Sequence, residues 1–227
     1  MPDVPSPRQL ALTLAHTDSF AAEDFLRGPT NADAVAMIEH WPDWPARTLA
    51  LVGPEGAGKS HLAMIWAETA GARFLSARAL AEVDLPAALA TGALVVEDLE
   101  PGGFDERALF HLLNLSREES AFLLLTARTA PAAWPVRIPD LGSRLRALPV
   151  VELGAPDDAL LRAVLLKLFA DRQLRVDDSL VNYLATRIER TFAAAREVVS
   201  QLDREALRQQ RPVTRALAAE LLRDDMP

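Results

Sequence analysis

Residues 53–60 read Gly53-Pro54-Glu55-Gly56-Ala57-Gly58-Lys59-Ser60, which satisfies every fixed position of the pattern G-x-x-x-x-G-K-[ST] and follows the apolar run 48–52. These types at this spacing suit a phosphate. The glycines let the backbone turn its N–H groups into one concavity, Lys59 adds a cation over the β and γ phosphates, and the Ser60 hydroxyl can reach Mg²⁺. A helix opening at His61 and running to about residue 69 would aim the positive end of its dipole at the same anion. Further along, the buried-type run 94–96 ends in Glu97 and Asp98, placed like the acid that holds the Mg²⁺ shell of a bound nucleotide. Neighbours on a strand point to opposite sides, so one acid is expected on the metal, assigned to Glu97. The other, Asp98, is left for an attacking water or a neighbouring strand. The run 122–125 ends in Thr126, whose hydroxyl could bond the γ-phosphate or that water.

Little else in the composition offers chemistry. There is no cysteine, which excludes disulfides and thiolate metal sites, and the four histidines (His16, His40, His61, His111) lack ligand spacing, so no metal beyond Mg²⁺ is expected. A formal charge of −8 argues against a dedicated DNA binder, since such proteins displace counterions with clustered Lys and Arg. The N-terminus lacks the basic-then-apolar order of a signal peptide, and no apolar stretch approaches the roughly 18 residues of a membrane span. The expectation is a cytoplasmic protein with no membrane partner.

These groups need elements to hold them. Apolar runs at 49–52, 73–75, 94–96, 122–125 and 150–153 alternate with helical stretches, which predicts an α/β fold with a parallel sheet covered by helices on both faces. After 153 the pattern is helical only, at about 156–172, 177–189, 193–208 and 214–223. Pro156, Asp157 and Asp158 are expected to form the first turn of the leading helix, with Pro where an N–H is unpaired and carboxylates at the positive dipole end. Pro131, Pro135 and Pro139 predict an irregular segment before a short helix at 140–145 that carries Arg144. The resulting division is a leader at 1–19, a nucleotide-binding α/β unit at 20–154 and an α-helical lid at 155–227. Within the leader, Gln9-Leu10-Ala11-Leu12-Thr13-Leu14 places apolar residues at alternate positions after a glutamine. An extended peptide of this kind can seat Gln9 in a polar pocket and Leu12 and Leu14 in an apolar groove, or pack on its own domain as a strand.

Taken together, the phosphate loop, the Glu97-Asp98 strand, the Leu125-Thr126 strand end, the segment Pro139-Asp140-Leu141-Gly142-Ser143-Arg144-Leu145 and the helical lid resemble AAA+ ATPases of the bacterial replication-initiator (DnaA) group. Within that group the chain is most similar to the Hda-type regulatory inactivators of DnaA. It stops soon after the lid, with no expected DNA-binding helix-turn-helix domain, and its Gln9–Leu14 hexamer is similar to the peptide by which such proteins dock on the replicative sliding clamp (β subunit). The resemblance implies bound ADP or ATP with Mg²⁺, the clamp and DnaA as partners, contact with DNA only through the clamp, and a homodimer as an option. It implies that Arg144 is an arginine finger acting in trans on nucleotide held by DnaA, so that hydrolysis there silences initiation. It also implies that Phe25, Gly28 and Asn31 line the adenine pocket, and that a lid arginine senses nucleotide. Ungapped counting places Ala193 at the sensing position, with Arg190 and Arg196 one turn to either side and Arg196 favoured. Glu97 stands where the group usually has Asp. A self-sufficient homo-oligomeric ATPase and a helicase-loader-like adaptor are the alternative readings.

Overall fold

A computed structural model of the chain describes residues 25–224. The Gln9–Leu14 hexamer lies outside them. Five strands, β1 (Thr48–Val52), β2 (Arg73–Ser76), β3 (Ala93–Leu99), β4 (Phe122–Ala127) and β5 (Val150–Glu152), form one sheet in the order β2-β3-β4-β1-β5, and every neighbouring pair is parallel. The predicted α/β fold is the one observed, with each expected strand in place.

The apolar runs are continuous because the sheet is buried on both faces. Alternate residues then serve opposite cores. Ala50 and Val52 of β1, Leu94 and Val96 of β3, and Leu123 and Leu125 of β4 join one cluster with α3 (Leu85–Leu89), α4 (Glu106–Glu118) and α5 (Pro139–Ala147). Leu49 and Leu51, Ala93 and Val95, and Leu124 face the other way, toward α1 (Ala32–Glu39) and α2 (Lys59–Ala70). The Trp41–Pro45 segment belongs to this second core. Trp44 is buried and stacks on Trp66 at 5.0 Å between ring centroids, while its indole N–H donates to the Met37 carbonyl at 2.8 Å.

The four helices that follow, α6 (Asp158–Asp171), α7 (Asp178–Ala185), α8 (Phe192–Gln209) and α9 (Arg215–Asp224), enclose a third cluster built on Leu161, Leu165, Phe169, Leu184, Val199, Leu202 and Leu217. Asp157 caps α6 by accepting the Leu160 N–H at 2.7 Å, so it stands outside the helix in an extended conformation and Pro156 precedes it. The expected first turn at Pro156 therefore starts two residues late, because a capping carboxylate must sit beyond the helical backbone it caps. Asp177 and Thr191 cap α7 and α8 in the same way. Helix α7 also ends at Ala185, short of the expected 189, since the N–H groups of Arg187 and Ile188 both turn back to the Leu184 carbonyl.

Candidate nucleotide site

Strand β1 delivers the chain into the phosphate loop, and β4 lies beside it with Val52 opposite Ala127. The Gly53 N–H donates to the Ala127 carbonyl at 3.1 Å, which fixes the start of the loop to the end of β4. Gly56 and Gly58 adopt φ of 70° and 96°, a left-handed backbone in which a side chain is strained. A Cβ on Gly56 would also lie 2.8 Å from the Thr191 Cβ. The concavity is thus one that only glycine can shape.

Gly58 opens α2 without any side-chain cap, whereas α3, α4, α6, α7 and α8 are each capped by an Asp or Thr side chain. No side chain caps the start of α2, and the helix dipole there favours an anion. These uncapped amides and the glycine cradle fit the phosphates of a nucleotide. The Lys59 ammonium meanwhile donates to the loop's own carbonyls, Gly53 at 2.7 Å and Pro54 at 2.8 Å. Burial first, and then the nearby Arg128 guanidinium, hold its pKa below the ordinary 10.5, against the pull of Asp98, Glu55 and Glu100.

The loop borders a cleft of about 640 Å³, whose walls also include Ser60, His61, Asp98, Arg128 and, from the lid, Ala193 and Arg196. The lid reaches the loop directly, since the Phe192 N–H donates to the Gly56 carbonyl at 2.9 Å. Phe25 and Phe192 flank Gly58 with ring atoms 3.3 Å from where a Cβ would stand, and Phe25 meets the His61 ring edge-on at 5.1 Å.

Several residues sit differently from expectation. Asp98 lines the cleft, while the Glu97 Oε1 is enclosed without a hydrogen-bond partner among the described residues. Simple strand alternation fails here because β3 is irregular between Val96 and Leu99 and Asp98 takes φ of 57°. Thr126 is buried, and its hydroxyl accepts the Asp98 N–H at 3.1 Å, so it holds the acid rather than the cleft wall. Asn31 is buried too: its side-chain oxygen accepts the Gly28 N–H at 2.8 Å and its amide donates to the Leu26 carbonyl at 3.0 Å, shaping the loop behind Phe25. Gly28 packs that loop on Leu160, 3.0 Å from a would-be Cβ. Of the two lid arginines, Arg196 lines the cleft and Arg190 pairs with Asp158 at 2.9 Å.

Arg144 lies elsewhere. It borders a groove of about 480 Å³ with Arg47, Thr48, Arg117 and Pro149, and its guanidinium sits 5.1 Å from the centre of the Phe110 ring. Thr48 begins the strand whose far end enters the phosphate loop, so the groove and the cleft are separated by the length of β1, about 16 Å at 3.3 Å per residue. The sequence reading missed Arg128, which ion-pairs with Glu55 at 2.9 Å and Glu100 at 2.7 Å at the cleft's rim. The signal available was a basic residue directly after the strand that flanks β1.

No protein-family profile matches the chain. An uncharacterised protein of Haemophilus influenzae is 26% identical over 222 residues, covering 91% of this chain and 95% of that one. The chromosomal replication initiator protein DnaA of Symbiobacterium thermophilum is 24% identical over 250 residues, covering 98% of this chain and 54% of its own length, so the chain spans about half of that relative. Among solved structures, domain III of the Thermotoga maritima replication initiation protein DnaA superposes with a TM-score of 0.76 at 18% identity, covering 92% of this chain and 97% of the domain. AMPPCP-bound DnaA from Aquifex aeolicus gives 0.65 at 15% identity, over 86% and 70%. The chain therefore has the AAA+ fold of DnaA domain III: a five-stranded parallel sheet between helices, followed by a helical unit that closes over the phosphate loop.

Proposed function

We propose that this protein is a nucleotide-bound regulator of replication initiation of the Hda type, with an α/β unit at 20–154 and a lid at 155–227. It holds ADP or ATP in the cleft, docks through Gln9, Leu10, Leu12 and Leu14 on the sliding clamp, and presents Arg144 to ATP bound by DnaA. Gly53 to His61 cradle the phosphates, Phe25 borders the base and Arg196 reaches in from the lid. Ser60 with the Glu97–Asp98 pair would hold Mg²⁺, which neutralises phosphate charge. Thr126 keeps Asp98 in place.

The observation that carries this reading is the position of Arg144. An arginine in the groove at the opening of β1 is half-buried beside Phe110 and remote from the phosphates in its own cleft, so a nucleotide that it serves would be one held by a neighbouring molecule. An arginine supplied in trans stabilises charge that develops on the transferring phosphoryl group, an effect of roughly 10³–10⁵ in rate. Kinship in sequence and fold with DnaA supports DnaA as the neighbour.

The test mixes the protein with DnaA·ATP and clamp loaded on DNA and follows conversion of the bound ATP to ADP, omitting each component in turn. The reading expects conversion only when all are present. ATP hydrolysis by this protein alone, undiminished without DnaA and clamp, would instead favour a self-sufficient ATPase.

A further inference from the structure

We propose that Arg47 and Arg117 are positioning residues that dock carboxylates on the nucleotide-bearing face of the neighbouring molecule, so that Arg144 beside them meets its phosphates. The inference rests on the reading of Arg144 given above.

The groove at the opening of β1 gathers three cations from three elements. Arg47 precedes β1, Arg117 stands in the last turn of α4 and Arg144 in the last turn of α5. A cation at a helix C-terminus is favourable in itself, but that does not draw Arg47 to the same place. Arg47 is held there by a hydrogen bond to the Ser120 carbonyl at 2.8 Å, with its guanidinium 4.8 Å from the centre of the Phe122 ring. Arg117 and Arg144 have no hydrogen-bond or ion-pair partner among the described residues. Elsewhere Arg27, Arg190 and Arg211 pair with acids. Glu118 and Glu119 follow Arg117 in sequence, yet neither lines the groove or pairs with it. In a chain of formal charge −8, this clustering without acids selects an anionic partner.

The rest of the groove makes that partner a protein surface. Leu113, Leu148 and Pro149 give it an apolar base. A free anion gains nothing from such a base, whereas a protein face packs on it while its acids meet the arginines. The face that Arg144 would serve is of this kind. In this chain, which has the fold of DnaA domain III, the same face carries Glu55, Asp98 and Glu100 around the phosphate loop. A bound triphosphate offsets the charge of the Lys59, Arg78, Arg128 and Arg196 side chains there, and the acids leave the face negative.

The experiment titrates the full chain into DnaA·ATP with clamp loaded on DNA, reading the maximal rate of ATP conversion and the concentration that gives half of it. Arg47→Ala with Arg117→Ala should raise the half-maximal concentration about tenfold or more and keep the maximal rate within about twofold. Arg144→Ala should instead lose the maximal rate. Lysine at both positions should recover most of the affinity, and added salt should weaken wild type more than the alanine pair. Melting curves establish folding; Arg117→Ala alone carries the comparison if loss of the Arg47 bond to Ser120 unfolds the pair. An unchanged half-maximal concentration, a loss confined to the maximal rate, or no recovery by lysine would each overturn the proposal. Wild-type chain that fails to stimulate DnaA at any concentration would overturn the regulator reading itself and this inference with it.

Discussion

At the scale of single residues, Lys59 unites the loop's geometry with its electrostatics. Its ammonium is satisfied by the Gly53 and Pro54 carbonyls, and burial together with Arg128 holds its pKa below 10.5. Phosphates favour the charged amine and so raise that pKa on binding, which couples nucleotide affinity to proton uptake. Affinity for ADP should therefore stay level near neutrality and fall as the pH rises through the lowered Lys59 value, beneath 10.5. Lys59→Ala should abolish binding in a protein that still melts cooperatively. Retained affinity in the folded variant, or a decline that begins only above 10.5, contradicts the cradle described here. The phosphate loop was legible in the sequence because its chemistry is contiguous: glycines, lysine and serine follow one another in eight positions. Arg128 was not, because its partners Glu55 and Glu100 come from other strand ends and only the fold assembles them. Thr126 was read as a ligand contact from its type at a strand end, and Asn31 from the resemblance. Once buried, each had to satisfy backbone groups instead, since an unpaired buried polar atom is costly.

At the scale of elements, the strands were legible because a parallel sheet buried on both faces leaves unbroken apolar runs, and each of the five appears within a few residues of its expected bounds. Boundaries set by caps were harder. Asp157 and Pro156 compose a plausible first turn as residue types, and only the hydrogen bond to Leu160 assigns Asp157 to the cap. Helix α1, which packs Val35 and Ile38 under the sheet, had no sequence signal assigned to it. The Gln9–Leu14 segment is an element-scale proposal that the described residues do not reach. Changing Gln9, Leu10 and Leu12 together to alanine should eliminate clamp binding, measured by surface plasmon resonance, without moving the melting temperature. A variant that melts several degrees lower and still binds clamp would assign those residues to the core of the protein's own fold.

At the scale of the whole molecule, the two ends of the parallel strands do different work. The carboxyl ends carry the phosphate loop, Asp98 and Arg128 around a cleft closed by the lid; the opening ends carry Arg47, Arg117 and Arg144 around a groove without an acid among its described lining residues. On the proposed reading, a molecule built this way would hold its own nucleotide at one face and offer a cation to another molecule at the opposite one. The central claim is that Arg144 acts on a neighbour's transition state and not on its own ligand. The most direct measurement compares wild type with Arg144→Ala in the conversion of DnaA-bound ATP to ADP on clamp-loaded DNA, alongside ADP and clamp binding by each. The account predicts that Arg144→Ala binds ADP and clamp like wild type and leaves DnaA at its unstimulated rate. An Arg144→Ala protein that stimulates DnaA as well as wild type does, or that loses its own ADP, would contradict it.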